Sequence, residues 1–283
     1  MIKNKKKIAL VIGAGSVKCA AALGMWKVLA GENIQFDMIV GCSGGSLYAA
    51  SMAMGFTFHE AIQNTRRLWN RSITEQRNWR SLAAMLLPGP FGFDSRFGMV
   101  SDRPMLQSFQ AVFGDRTFAE ATIPLYIAAT DFETGETVAL HEGRIVDALR
   151  SSVAIPFIWS AWPHAGRLLI DGAASNPLPV DIAIREGADI ILAIGFQSPL
   201  PQRVKSISRY AFYVNALMTN NLLNSNFAFH NAVHHAEIIA VFPDFDRPVR
   251  LFDTELIPYV IERGEAAMRQ QLEYVKRILE SPA

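Results

Sequence analysis

Residues 41–45, Gly-Cys-Ser-Gly-Gly, set a serine in a G-x-S-x-G turn, and this stretch constrains the fold more than any other in the chain. Residues 36–40 before it (Phe-Asp-Met-Ile-Val) read as a short buried strand, and residues 46–54 after it read as a helix. A strand-to-helix turn this tight lifts the Ser43 side chain clear of the sheet, and Gly41, Gly44 and Gly45 let the backbone bend. The helix N-terminus beneath the serine favours negative charge developing there. A serine so placed works only with a base and with donors for an oxyanion.

The elbow sits in a larger alternation. Residues 7–12 are a β-rich apolar run, and residues 18–30 a helix with Ala21, Met25 and Val28 on one side. Strand, loop, helix, strand, elbow, helix is the pattern of a parallel sheet covered by helices. Further along, 58–71 reads as helical and 72–101 as irregular, with Pro88-Gly89-Pro90 and the aromatics Trp79, Phe91, Phe93 and Phe97. A helix over 102–113 has Asp102 as its cap and Pro104 in its first turn. Strand 124–130 pairs with 137–140 across Glu133-Thr134-Gly135, and helix 144–151 leads to Ala154-Ile155-Pro156-Phe157. Strand 167–170 ends at Asp171-Gly172-Ala173, followed by helix 179–186 and strand 189–194. Helices at 205–224 and 227–236, strand 237–241 and a terminal helix at 254–279 complete the reading. The expectation is one α/β domain over residues 1–283, a three-layer sandwich around a mostly parallel sheet. Its lid-like helical insertions fall at 72–113 and 205–236. The stripe Ile207, Tyr210, Ala211, Val214, Leu217, Met218 and Leu222 has helical period and reads most simply as core, with a lid or acyl-chain groove as the second reading.

Composition narrows the partners. A formal charge of +1 gives no extended surface for nucleic acid, and the Lys3–Lys7 run reads as a solvated tail rather than a phosphate site. Two cysteines, Cys19 and Cys42, make no disulfide framework and suit a reducing compartment, hence a cytoplasmic protein. Residues 1–23 resemble a signal peptide, but Gly13-Ala14-Gly15-Ser16 interrupts the apolar run. Residues 38–58 are uncharged over a bilayer's length, yet Gly41, Ser43, Gly44, Gly45 and Ser46 break them. The chain therefore reads as soluble, with peripheral membrane contact left open.

The loop Gly13-Ala14-Gly15-Ser16 lies between the first strand and its helix. A dinucleotide fingerprint would need glycine where Lys18 stands and an acid ending the next strand, which instead ends in the elbow. A P-loop would need a Gly-Lys-Ser/Thr ending. As an oxyanion loop it is well placed, because backbone N–H groups beside a parallel strand can point above Ser43. The bland reading is an ordinary strand-to-helix turn. For the base, none of His59, His141, His164, His230, His234 and His235 sits on a strand-end loop followed directly by glycine; His164 comes closest. Asp171 is the better candidate by position, after a short strand and among small residues, and Asp131 is a fallback. An aspartate is a weak base near its free pKa of about 4, so burial would have to raise it. His230, His234 and Glu237 have the spacing of a metal-binding helix face, although Glu237 reads better as the start of a strand.

Four blocks in order resemble the patatin-like phospholipase family: the glycine loop at 13–19, the elbow at 41–45, Ala129-Thr130-Asp131 with Thr134-Gly135, and Asp171-Gly172-Ala173 with Asn176 and Pro177. Ser151-Ser152-Val153-Ala154-Ile155-Pro156 also looks like the family's S-x-A-x-P stretch. The blocks fall within residues 7–195. The resemblance implies a serine acyl hydrolase with no histidine, metal or cofactor. Ser43 would be the nucleophile and Asp171 the general base, with amides of Gly13, Ala14, Gly15, Ser16 and Gly44 as the oxyanion hole. Gly41, Gly45, Gly172 and Lys18 would support them. The family's loop continues with arginine and glycine where this chain has Lys18 and Cys19; lysine keeps the charge but loses the planar fork. The implied substrate is a lipid or lysolipid ester. Other esters, acyl transfer, polyester cleavage, or a binding protein with weakened turnover are the alternatives.

Overall fold

The computed structural model describes residues 6–70, 72–86, 94–198, 207–250 and 253–281. Its framework is a mixed, mostly parallel sheet of eight strands. Strand β1 (Ile8–Ile12) is central, with β2 (Met38–Cys42) on one side and β7 (Ile190–Ile194) on the other, and β8 (Glu237–Val241) pairs β7; all these pairings are parallel. Beyond β2 lies β3 (Leu125–Asp131), which also pairs antiparallel with β4 (Thr137–Leu140) and β6 (Arg167–Asp171). β5 (Trp162–His164) closes the edge as a hairpin with β6.

Strands covered on both faces are apolar throughout rather than alternating, and every residue of β1, β2 and β7 is buried. The two-residue period then splits each strand between two cores. Leu10, Ile12, Ile39, Ile127 and Leu192 pack against one set of helices: α1 (Ala21–Gly31), α2 (Gly44–Ala53), α3 (Phe58–Leu68), α6 (Arg103–Phe113) and α7 (Ile145–Ser152), together with the terminal α10 (Ile257–Glu280). Ala9, Val11, Val40, Cys42 and Ile191 face α8 (Val180–Arg185) and Leu223 of α9 (Ile207–Val233). Between α3 and α6 lie two short helices, α4 (Ser72–Glu75) and α5 (Trp79–Leu86). Among the described residues no helix is long and apolar enough to cross a membrane.

Four sequence expectations are corrected. The stretch read as irregular carries α4 and α5, and an Arg77–Val100 bridge ties its ends; Pro88-Gly89-Pro90, Phe91 and Phe93 lie outside the described residues. Ser225 and Asn226 do not separate two helices but lie within α9. There Asn224 bonds Gln197 and Asn226 bonds Ser175 and Asn176, so these side chains serve tertiary contacts rather than breaking the helix. Tyr210, Leu217 and Met218 are not core but exposed, because α9 packs through Ala216 and Leu223; Ile207 and Ala211 have no described side chains. Asp102 precedes α6 without capping it, since Arg150 and Ser160 take its carboxylate.

Candidate active site

Strand β3 sets the spacing of the site. Ala128 pairs with Cys42 of β2, and the next residue, Ala129, pairs with Asp171 of β6. The same two alanines also pair with Ala139 and Val138 of β4, so β2 and β6 follow one another along the opposite edge. One strand therefore brings the end of β2 against the end of β6, and a Cβ on Gly172 would lie 2.9 Å from Cys42 Sγ. Ser43 follows Cys42 directly.

Ser43 holds the elbow at φ 53° and ψ −128°, a left-handed conformation that costs a non-glycine residue on the order of 1–3 kcal/mol. Packing and hydrogen bonds together hold it there. A Cβ on Gly45 would lie 2.4 Å from the Ile12 carbonyl oxygen, and one on Gly41 2.6 Å from Ser46 Cα, so helix α2 can start this close to β1 and β2 only with glycine at both places. The Ser43 N–H donates to Ser152 Oγ at 2.8 Å, and its carbonyl accepts from Ser46 Oγ at 2.6 Å.

The Ser43 hydroxyl donates to Asp171 Oδ2 at 2.7 Å. Both residues are buried. The other carboxylate oxygen accepts the Ala173 N–H at 2.8 Å, which fixes the plane of the group. Asp171 N–H donates to Ala154 O at 3.0 Å, and its own carbonyl accepts from Thr130 Oγ1 at 2.9 Å. Burial pushes the Asp171 pKa up from 3.8 to about 7, opposed by the hydrogen bonds from Ala173 and Ser43.

In the glycine loop, two expected oxyanion donors are already committed: Gly13 N–H to Ile194 O at 2.9 Å and Ala14 N–H to Pro177 O at 2.8 Å. These bonds splice the loop to the end of β7 and to the segment after Asp171. The Gly15 and Gly44 N–H groups take no acceptor among the described residues, and Gly44 opens the first turn of α2. Ser16 stands against Gly44, whose Cβ, if it had one, would lie 2.8 Å from Ser16 O. Lys18 is buried and donates to Gln197 O at 2.5 Å, so it pins the loop to the chain after β7, and burial lowers its pKa to about 8. Cys19 fills core and donates to Gly13 O at 3.3 Å; burial pushes its thiol and that of Cys42 upward.

The other candidates lie elsewhere. His164 pairs with Arg167 at the turn of the β5–β6 hairpin, the end of β6 remote from Asp171. Asp131 is a turn residue: its Oδ1 accepts the Glu133 and Thr134 N–H groups at 2.9 and 3.2 Å. Glu237 opens β8 and accepts the Tyr274 hydroxyl, and no three metal-ligating side chains cluster among the described residues. Sequence reasoning quoted Ser152 without giving it a role and passed over Arg150, which is buried against Asp102 and Ser160. An arginine on the last turn of a helix carries no sequence signal that it is buried.

Comparison with known proteins identifies the family of the chain. The chain belongs to the patatin-like phospholipase family, whose model matches residues 10–184 and whose members are generally serine hydrolases. An uncharacterized NTE family protein of Mycobacterium bovis is 27% identical over 191 residues, 68% of this chain and 49% of that protein. Neuropathy target esterase of Drosophila melanogaster is 30% identical over 190 residues, 66% of this chain and 13% of that protein. The chain thus spans about half the length of the mycobacterial relative and far less of the fly one. The crystal structure of VipD from Legionella pneumophila shares the fold, with a TM-score of 0.53 at 12% identity over 96% of this chain and 67% of that one.

Proposed function

We propose that this chain hydrolyses acyl esters of lipids or lysolipids through a dyad of Ser43 and Asp171. The observation that carries the reading is the 2.7 Å bond from the Ser43 hydroxyl to a buried carboxylate. Asp171 Oδ2 takes the hydroxyl proton as Ser43 Oγ attacks the ester carbonyl carbon. The carbonyl oxygen becomes an oxyanion, and the N–H groups of Gly15 and Gly44 are its donors, aided by the N-terminus of α2. On collapse the carbon–oxygen bond to the leaving alcohol breaks, and Asp171 returns its proton to that alcohol. Water then attacks the acyl-enzyme; Asp171 accepts a proton from it and passes one to Ser43 as the acid departs. Every proton in this sequence passes directly to or from Asp171, so no histidine is needed.

Elevation of the Asp171 pKa to about 7 supports this role, because a carboxylate of ordinary acidity would be a poor acceptor for a serine proton. Family membership supports the lipid substrate.

A fluorophosphonate probe tests the nucleophile. Wild type should be labelled at Ser43 and lose activity in step, whereas Ser43→Ala should take no label and hydrolyse neither p-nitrophenyl esters nor lysophospholipid. Unlabelled but active wild type would overturn the reading. A panel of phospholipid, lysophospholipid and short p-nitrophenyl esters then separates lipid hydrolysis from a non-lipid esterase.

A further inference from the structure

Neither Ser43 nor Asp171 is held at its main-chain N–H by its own element. Ser43 donates to Ser152 Oγ at 2.8 Å and Asp171 to Ala154 O at 3.0 Å. Both acceptors belong to three consecutive residues, 152–154, where α7 ends. The Ser152 hydroxyl is itself directional, because its proton goes to Ala128 O at 2.6 Å. Ala128 is the β3 residue that pairs with Cys42, so Ser152 bridges the strand that spaces the site and the elbow that follows it. Ser43, Ser152, Ala154 and Asp171 are all buried, so water cannot substitute for a missing partner.

We propose that Ser152 is a positioning residue for acyl transfer: its hydroxyl holds the strained Ser43 elbow by the amide, while Ala154, two residues on, holds Asp171. The inference rests on the dyad reading above. The segment acts as a two-point clamp, and its bite fixes where Ser43 Oγ meets Asp171 Oδ2. It also removes the Ser43 N–H from the oxyanion donors and leaves that task to the neighbouring amides. Without the Ser152 hydroxyl, the elbow can relax from its left-handed conformation and carry Oγ with it. A displacement of about 1 Å at reacting atoms costs on the order of a hundredfold in rate.

Ser151 supplies the control. It is equally buried and adjacent, yet among the described residues its hydroxyl only bonds back to Asp147 O at 2.9 Å within α7. The experiment measures kcat and KM on p-nitrophenyl butyrate, and the rate of fluorophosphonate labelling per labelled site, well below each variant's Tm. Ser152→Ala should lose about tenfold to a hundredfold in kcat and in labelling rate, with KM within about twofold. Ser152→Cys, a close shape with a weak acceptor, should fall between it and wild type and serves if the alanine variant folds poorly. Ser151→Ala should keep kcat within about twofold. Equal kcat values for Ser152→Ala and Ser151→Ala, or a loss confined to KM, would overturn the clamp. An active Ser43→Ala would instead overturn the dyad reading itself, which separates the two failures.

Discussion

At Asp171, burial raises the pKa while the Ala173 N–H and the Ser43 hydroxyl hold it down, and the balance lies at about 7. In the proposed mechanism the ionised form is the active one, so kcat/KM should climb with pH through a single limb with its midpoint at about 7. A rate flat from pH 5 to 9 would contradict this. Asp171→Asn should cost at least about a hundredfold in kcat, the usual scale for a general base. Stability should move the other way. The folded pKa lies above the unfolded value of 3.8, so the folded state favours the proton. The residue therefore costs increasing stability as pH rises from about 4 to about 7 and a constant amount above that. An asparagine side chain in its place has no charge to desolvate. Thermal melts should show Asp171→Asn more stable than wild type at pH 8, with the gain shrinking toward pH 5; a lower Tm at pH 8 would refute the argument.

Among the elements, the tightest backbone approach at any described glycine lies away from the site. α1 and α10 cross at Gly24 and Gly264: a Cβ on Gly264 would fall 2.0 Å from Ala21 O, and one on Gly24 2.0 Å from Ile261 O. Backbones meet there with no room for a methyl group. Gly264→Ala should destabilise by about 1–3 kcal/mol or more through overpacking, read as a fall in Tm, with kcat little changed at temperatures where the protein stays folded. Helix period made α10 legible in the sequence, since Val260, Gly264, Met268, Leu272 and Val275 form its buried side. The partner of Gly264 was not legible, because it lies more than 200 residues earlier in the chain. The β5–β6 hairpin was missed for a local reason. Its turn is Ala165-Gly166, with both φ values positive, and alanine does not advertise that conformation. Pro163 further disguised an edge strand. That Ser43 sits on the elbow and Asp171 at the end of a strand was legible because those signals are short-range. The commitment of the Gly13 and Ala14 amides was not, because their acceptors, Ile194 and Pro177, come from the far side of the chain.

Across the whole molecule, Arg150 of α7 ties the start of α6 to the segment that enters β5. Its Nη2 donates to Asp102 at 2.5 Å, where α6 begins, and to Ser160 O at 2.7 Å, while the guanidinium lies 4.9 Å from the Trp162 ring. Its Nε and Nη1 have no acceptor among the described residues. A buried cation with so few acceptors depends heavily on its carboxylate. Asp102→Ala should cost about 3–5 kcal/mol, because the buried charge of Arg150 would remain, and urea unfolding would show it as a lower midpoint at similar slope. Loss of less than about 1 kcal/mol would mean that solvent reaches the guanidinium.

The pairing of β3 with both β2 and β6 has a consequence in time. Ser43 and Asp171 are 128 positions apart, and their meeting depends on Ala128 and Ala129 having found partners from opposite directions along the chain. Such distant contacts form late in folding, because loop closure must precede them. Under the proposed dyad, a refolding chain with its helices formed and its β1–β2 unit in place would still be chemically inert. Reactivity toward a phosphonate, sampled at intervals during refolding, is therefore a clock for the arrival of β6, and it should lag the recovery of helical signal.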